Sequence, residues 1–235
     1  MNRIAVLGVI ILAAIGLFFF IASSGGDKAK QGNKDSSNEG KEKVMRLSME
    51  TEPKTLDPIS ITDVYSDGVG RKVHDTLVRV EMKNGKLEVV NGVAEKWDLS
   101  ADGKTYTFTI RKGVKFHNGR EVRAEDVVYS LSRLLWKESK RSSWLVPMVV
   151  GSEERYKKQD VNVPIGIKAT GDYTVRIDLK EPFAPFIQHL CTSNCSIVPK
   201  EAVENDDPSK PFARFPVGVG PFKLVEWKDN QSLVM

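Results

Sequence analysis

Three histidines, two cysteines and one glycine pair are the residues of this 235-residue chain whose types suggest chemistry beyond packing. His74, His117 and His189 lie far apart, with no Cys or carboxylate at a spacing that fits a metal, so no metal site is expected. Cys191 and Cys195 are either a short-loop disulfide formed after export or a reduced pair, and the sequence leaves both open. Neither state makes them catalytic. Gly218-x-Gly220 begins like a phosphate loop, but Lys223 stands where a third glycine belongs and a strand pattern follows instead of a helix. Asn194 and Asn230 open Asn-x-Ser triplets, which recur by chance and carry weight only in a glycosylating host. With no nucleophile elbow, no carboxylates paired at helical spacing and no zinc-protease motif, no catalytic residue and no cofactor are expected. The chain does not read as an enzyme.

Composition narrows the class further. Hydrophobic residues make up 40% of the chain and charged residues 28%, enough apolar material for a core, which excludes global disorder. The net charge of +4 arises from 35 basic and 31 acidic side chains spread along the sequence, a weak footprint for nucleic acid. At the N-terminus, Asn2 and Arg3 precede an uncharged run from Ile4 to Ala22, with Ala22-Ser23-Ser24 after it. Residues 1–22 therefore read as a secretory signal peptide or, since the run nearly crosses a bilayer, an uncleaved anchor. No cysteine lies near residue 22, so a lipid-anchored form is not supported. Residues 23–43 contain one alanine as their only apolar side chain and read as a disordered polar tether.

The elements that position everything else begin at Val44 and alternate short strands, turns and occasional helices, a mixed α/β body. Asp102-Gly103 marks a turn, after which Tyr106, Phe108 and Ile110 alternate with Thr105, Thr107 and Thr109 at period two. Lys112-Gly113 and Asn118-Gly119 bracket a second short strand with Val114 and Phe116, so residues 97–119 read as a meander. Gly171-Asp172 introduces a strand with Tyr173, Val175, Ile177 and Leu179 inward. From Ala124 to Trp136, Val127, Val128, Leu131, Leu134 and Leu135 form one helical stripe that packs on the sheet. Glu125 and Asp126 sit in its first turn, although Arg123 occupies the capping position. A short helix is expected at Phe186, Ile187 and Leu190, before the loop between the cysteines.

The run Val93-Ala94-Glu95-Lys96-Trp97-Asp98-Leu99-Ser100-Ala101-Asp102-Gly103-Lys104-Thr105-Tyr106, through Arg111-Lys112-Gly113-Val114-Lys115-Phe116-His117-Asn118-Gly119 to Ala124-Glu125-Asp126-Val127-Val128-Tyr129-Ser130, resembles the signature of the family 5 extracellular solute-binding proteins. Those are the oligopeptide, dipeptide and nickel-binding receptors of ABC importers. Thr55-Leu56-Asp57-Pro58, Ser196-Ile197-Val198-Pro199-Lys200 and Pro216-Val217-Gly218-Val219-Gly220-Pro221-Phe222 match in the expected order. The resemblance covers residues 44–235 and implies a periplasmic-binding-protein type II-like α/β fold that closes on its ligand by hinge motion, without covalent chemistry. It implies lobe I at 44–75, an inserted subdomain at 76–180 serving packing, and the return of lobe I at 181–235, with the second lobe absent. The abrupt ending on Ser232-Leu233-Val234-Met235 favours a fragment over a natural truncation.

The same resemblance implies that Thr62, Asp63, Val64 and Tyr65 offer backbone groups to an extended ligand, which makes binding tolerant of ligand side chains. Tyr65 either packs on a ligand residue or is an ordinary half-buried residue. Ser143 and Trp144 either face the cleft or pack. The implied function is the substrate-binding component of an ABC importer, with a small peptide or other small solute and the membrane permease subunits as partners. It would act in the periplasm or outside the cytoplasmic membrane, anchored to it or free. The alternative is a membrane-tethered single-lobe sensory or interaction module without transport function. The sequence names no solute.

Overall fold

In a computed structural model, residues 46–204 and 207–235 are described, so the signal or anchor segment 1–22, the tether 23–43 and the boundary at Val44 lie outside the described residues. Leu47–Met235 form one unit. Its centre is a four-stranded antiparallel sheet in the order β3-β4-β6-β5, built from β3 (Ala94–Leu99), β4 (Thr105–Ile110), β5 (Ile167–Gly171) and β6 (Thr174–Asp178). The period-two reading of β4 holds: Tyr106, Phe108 and Ile110 are buried while the threonines between them are half-buried. Register places Tyr106 opposite Ile177 and Phe108 opposite Val175, so one face carries a continuous apolar layer. Each such side chain contributes about 1.5–3 kcal/mol by leaving water. Gly103 and Gly113 adopt φ of +70° and +79°, which is why glycine punctuates this region.

Before the sheet, β1 (Val78–Lys83) and β2 (Lys86–Asn91) make a hairpin through Asn84-Gly85, both at positive φ. Asn-Gly at this position is itself a local hairpin signal. The expected strand around Val114 and Phe116 does not form. Lys115 makes one bridge to Glu121 and His117 N–H donates to Gly218 O at 2.9 Å, so residues 114–122 fold into a tight turn too short for a ladder. The 97–119 meander is thus a hairpin followed by this turn.

The expected helix at Ala124–Trp136 is present but shorter. α2 (Ala124–Ser132) tightens into a 3-10 turn at Arg133–Leu135, and Trp136 returns to extended backbone. Val127, Leu131, Leu134 and Leu135 of its stripe are buried in the main core, and α2 itself packs against β5 and β6. Arg123 gives no side-chain cap; Asp126 reaches back to accept the Arg123 N–H at 2.8 Å. α3 (Ser152–Lys158), α4 (Phe186–His189) and α5 (Lys200–Glu204) are short connectors, and β7 (Glu226–Lys228) pairs with β8 (Ser232–Val234). The main core runs without interruption from Ile59 through the sheet to Ile197, and a satellite of Leu56, Val69, Leu224 and Trp227 lies beside it.

α1 (Val64–Val73) is the element that frames the candidate site. Asp63 caps it: Oδ1 accepts the Ser66 N–H at 2.9 Å and Oδ2 accepts the Ser66 hydroxyl at 2.8 Å. At its other end the carbonyls of Lys72 and Val73 accept N–H bonds from Phe222 and Gly220 at 3.0 and 2.8 Å. A Cβ at Gly218 would sit 2.0 Å from Val73 O, and one at Gly220 would sit 2.5 Å from Lys72 O. The Gly-x-Gly pair therefore lets backbone close on a helix C-terminus, a packing role.

Candidate ligand-binding wall

The predicted site residues begin on a loop whose Pro58, Ile59 and Ile61 carbonyls are held by distant parts of the chain. Asp57 caps a 3-10 turn at Pro58–Ser60, accepting the Ile59 N–H at 3.3 Å. Its carboxylate takes two bonds from the buried Arg133 guanidinium, at 3.0 and 2.7 Å. The side chain of Asn194, itself buried, donates to Pro58 O and Ile61 O at 2.6 and 3.0 Å. Lys140 N–H donates to Ile59 O at 2.9 Å, and Arg141 Nε donates to Ile61 O at 3.4 Å. The Ile61–Thr62 peptide is trans, as are the others among the described residues, so with Ile61 C=O turned inward the Thr62 N–H points the other way. Thr62 is exposed, and among the described residues neither its N–H nor its C=O has a partner.

The other candidates divide. Asp63 is extended backbone, but both its carboxylate oxygens are committed to Ser66, and those bonds hold its carboxyl below the usual range against the opposing effect of burial. Val64 and Tyr65 are the first two residues of α1, so their backbone is helical; the Asp63 cap starts a helix where the sequence suggested extended chain. Val64 is 76% exposed. The Tyr65 hydroxyl donates to Glu50 Oε2 at 2.9 Å, which raises its pKa. Ser143 and Trp144 occupy a 3-10 turn at Ser142–Trp144, with Ser143 exposed and Trp144 half-buried. The Trp144 ring meets His189 edge-on at 5.0 Å, and Arg141 lies 5.8 Å from its centroid. Through Arg141 this turn and the Thr62 loop adjoin.

The remaining chemical candidates are structural. The His117 ring accepts the Gly218 N–H at Nδ1 (3.3 Å), so Nε2 carries the proton and donates to Gly220 O at 2.9 Å. The buried His74 donates from Nε2 to Leu56 O at 2.9 Å, and burial lowers its pKa to about 4. Cys191 and Cys195 are free thiols here, bonded to Ile187 O and His189 O at 3.4 Å each. Burial pushes them up to about 11 and about 12, which makes them poor nucleophiles. Asn194, in sequence only the start of a triplet, is a clamp, and it acts with Arg133, Asp57 and Arg141. Only the Leu-Asp-Pro motif signalled one of them.

Comparison with known proteins agrees with this frame. Residues 88–235 match the family described as bacterial extracellular solute-binding proteins, family 5, middle part. The chain is 34% identical over 233 residues to the dipeptide-binding protein DppE of Bacillus subtilis, covering 94% of this chain and 41% of that protein. It is 35% identical over 164 residues to the dipeptide-binding protein of Escherichia coli, covering 66% of this chain and 30% of that one. Among solved structures, the Escherichia coli murein tripeptide-binding protein MppA superposes with a TM-score of 0.70 at 27% identity, over 79% of this chain and 36% of that chain. A DppA from Helicobacter pylori in complex with the peptide STSA superposes at 0.61 and 30% identity, over 77% and 36%. The chain thus spans about two-fifths or less of the relatives it matches. The uninterrupted α/β core, the glycine-tight contact on α1 and these matches have one reading: the chain belongs to the bacterial extracellular solute-binding proteins of family 5.

Proposed function

We propose that the protein carrying this chain is the substrate-binding component of an ABC-type importer, which captures small peptides outside the cytoplasmic membrane and delivers them to permease subunits. The observation that carries this reading is the 34% identity to a dipeptide-binding protein across 94% of the chain. Lobe I would comprise 44–75 and 181–235 and the insert 76–180, with Thr62 and Asp63 on the ligand-facing edge and Ser143 and Trp144 beside them. A peptide main chain pairing with Thr62 explains tolerance of ligand side chains, since such bonds ignore them. The rigid clamp behind the loop supports it, because the donor is fixed before ligand arrives and little ordering entropy is lost. Binding is non-covalent, with no catalytic residue, cofactor or metal.

The test is calorimetric titration of the full-length natural protein with di- and tripeptides. Micromolar or tighter binding is expected, and Thr62→Pro, which deletes one donor, should weaken it about fivefold with little change in thermal midpoint. Absence of peptide binding, or unchanged affinity in Thr62→Pro, would overturn the respective claim.

A further inference from the structure

We propose that the β1-β2 hairpin dips its tip into an anionic lipid bilayer and so holds the domain against the membrane surface; the inference is independent of which solute is bound. The register sets Val80 opposite Val89 and Met82 opposite Leu87, and directly opposed residues project to the same side, so these four make one face of the ribbon. Val89 packs on the main core, but Val80, Met82 and Leu87 are 41%, 66% and 70% exposed. The other face sets Glu81 opposite Glu88 and Lys83 opposite Lys86, like charges that weaken the pairing. A two-stranded ribbon is marginal in water even without that repulsion. This one therefore carries a run of exposed apolar side chains that its own fold does not use, which marks a surface with a partner.

Charge and chain length name that partner. The tip reads Met82-Lys83-Asn84-Gly85-Lys86-Leu87, with two cations, two apolar side chains and no acid. Arg79, at the base, pairs with Asp75 at 3.4 Å, whereas among the described residues no carboxylate pairs with Lys83 or Lys86. Apolar side chains flanked by free ammonium groups match hydrocarbon beneath an anionic headgroup layer, because lysine stems reach back along the apolar surface and leave their charges among phosphates. Glu81 and Glu88 stand one pair further from the turn. The chain outside the described residues points to the same partner. Residues 4–22 are an uncharged run that nearly crosses a bilayer, and the 23 residues from Ser23 to Met45 span at most about 80 Å even fully extended. With that run retained in the membrane, as the inference takes it to be, the hairpin stays within reach of the same bilayer and a weak contact becomes intramolecular. A second copy of the chain fits less well, since four side chains fall far short of the roughly 20–30 residues that each side of a stable interface contributes.

The experiment places a polarity-sensitive dye on the full-length natural protein at Met82→Cys, at Leu87→Cys and, as the control at the hairpin base, at Arg79→Cys. Cys191 and Cys195 are buried, and the parent protein carried through the same labelling sets their background. Each protein is reconstituted with vesicles of phosphatidylglycerol and phosphatidylcholine, or of phosphatidylcholine alone, with brominated lipid as quencher and thermal midpoints recorded. The expected result is a blue shift and quenching at positions 82 and 87 in the anionic vesicles, with none at 79. The docking constant should fall about fivefold in each of Lys83→Gln and Lys86→Gln, and fall again as salt is raised. No response at 82 and 87, or an equal response at 79, would overturn the inference; should one labelled variant not fold, the other reads the same tip. A response that needs purified permease subunits in place of anionic lipid would assign the tip to a protein partner and overturn it as well. So would a response that appears without vesicles as protein concentration rises, which would mean a second copy.

Discussion

His74 shows what a single buried side chain does to the whole protein's pH response. Nε2–H is used by Leu56 O, while Nδ1 is buried without a partner and faces the backbone at Gly218, where even a Cβ would come within 2.9 Å. Protonating Nδ1 would bury an unsatisfied cation, and burial accordingly lowers the pKa from 6.5 to about 4. Because the folded value is depressed, the unfolded chain binds the extra proton first as pH falls. Stability is therefore full above about pH 6.5 and declines towards pH 4, by roughly 3 kcal/mol for this group. His189, also lowered by burial, acts with the same sign. Urea unfolding between pH 7 and 4.5 should show the decline, and His74→Gln, which keeps a donor for Leu56 O without a titrating group, should flatten it. An equal slope in that variant would contradict the assignment.

At the scale of elements, α1 is an unpromising helix that tertiary contacts complete. Gly68 and Gly70 weaken it intrinsically, and its two ends are secured instead by the Asp63 cap and by Gly220 and Phe222. The two kinds of glycine in this region predict opposite outcomes. Nothing lies within 4 Å of a Cβ at Gly68, so Gly68→Ala should raise the thermal midpoint by a few degrees, from about 0.5–1 kcal/mol of helix propensity. Gly218→Ala would drive a methyl into Val73 O and must part the loop from the helix, costing about 1–3 kcal/mol. Differential scanning calorimetry separates the two. A Gly218→Ala protein as stable as the parent would mean that the close approach is not needed. The turn at residues 114–122 makes the same point: its polar groups go to Glu121, Val122 and Gly218 rather than to a neighbouring strand.

Across the whole molecule, the Asp57–Arg133 pair ties the loop before α1 to the end of α2, 76 positions apart in sequence. Arg133 is almost fully buried, with Trp136 and Phe212 at 5.1 and 5.8 Å from its guanidinium. Arg133→Met should cost about 3 kcal/mol or more in urea unfolding, since it strands the Asp57 carboxylate, and adding Asp57→Asn should recover part of that loss. A single-mutant cost below about 1 kcal/mol would show that the pair is solvent-relaxed. The period-two strand at Tyr106–Ile110, the α2 stripe and the glycine turns were legible in the sequence because each is a local pattern whose period matches its own backbone geometry. The family resemblance was legible too, from motifs whose residues pack the sheet and α1. The sequence by itself determined the fold class, the strands at Thr105–Ile110 and Thr174–Asp178 and the helix of the core, and pointed to Thr62 only through the family resemblance. Only the tertiary structure decided that Val64 and Tyr65 are helical, that Asn194 and Arg133 clamp that loop, and that Arg141 bonds to it. Those are contacts between segments distant in the chain, and no local periodicity encodes which distant partner a polar side chain will find.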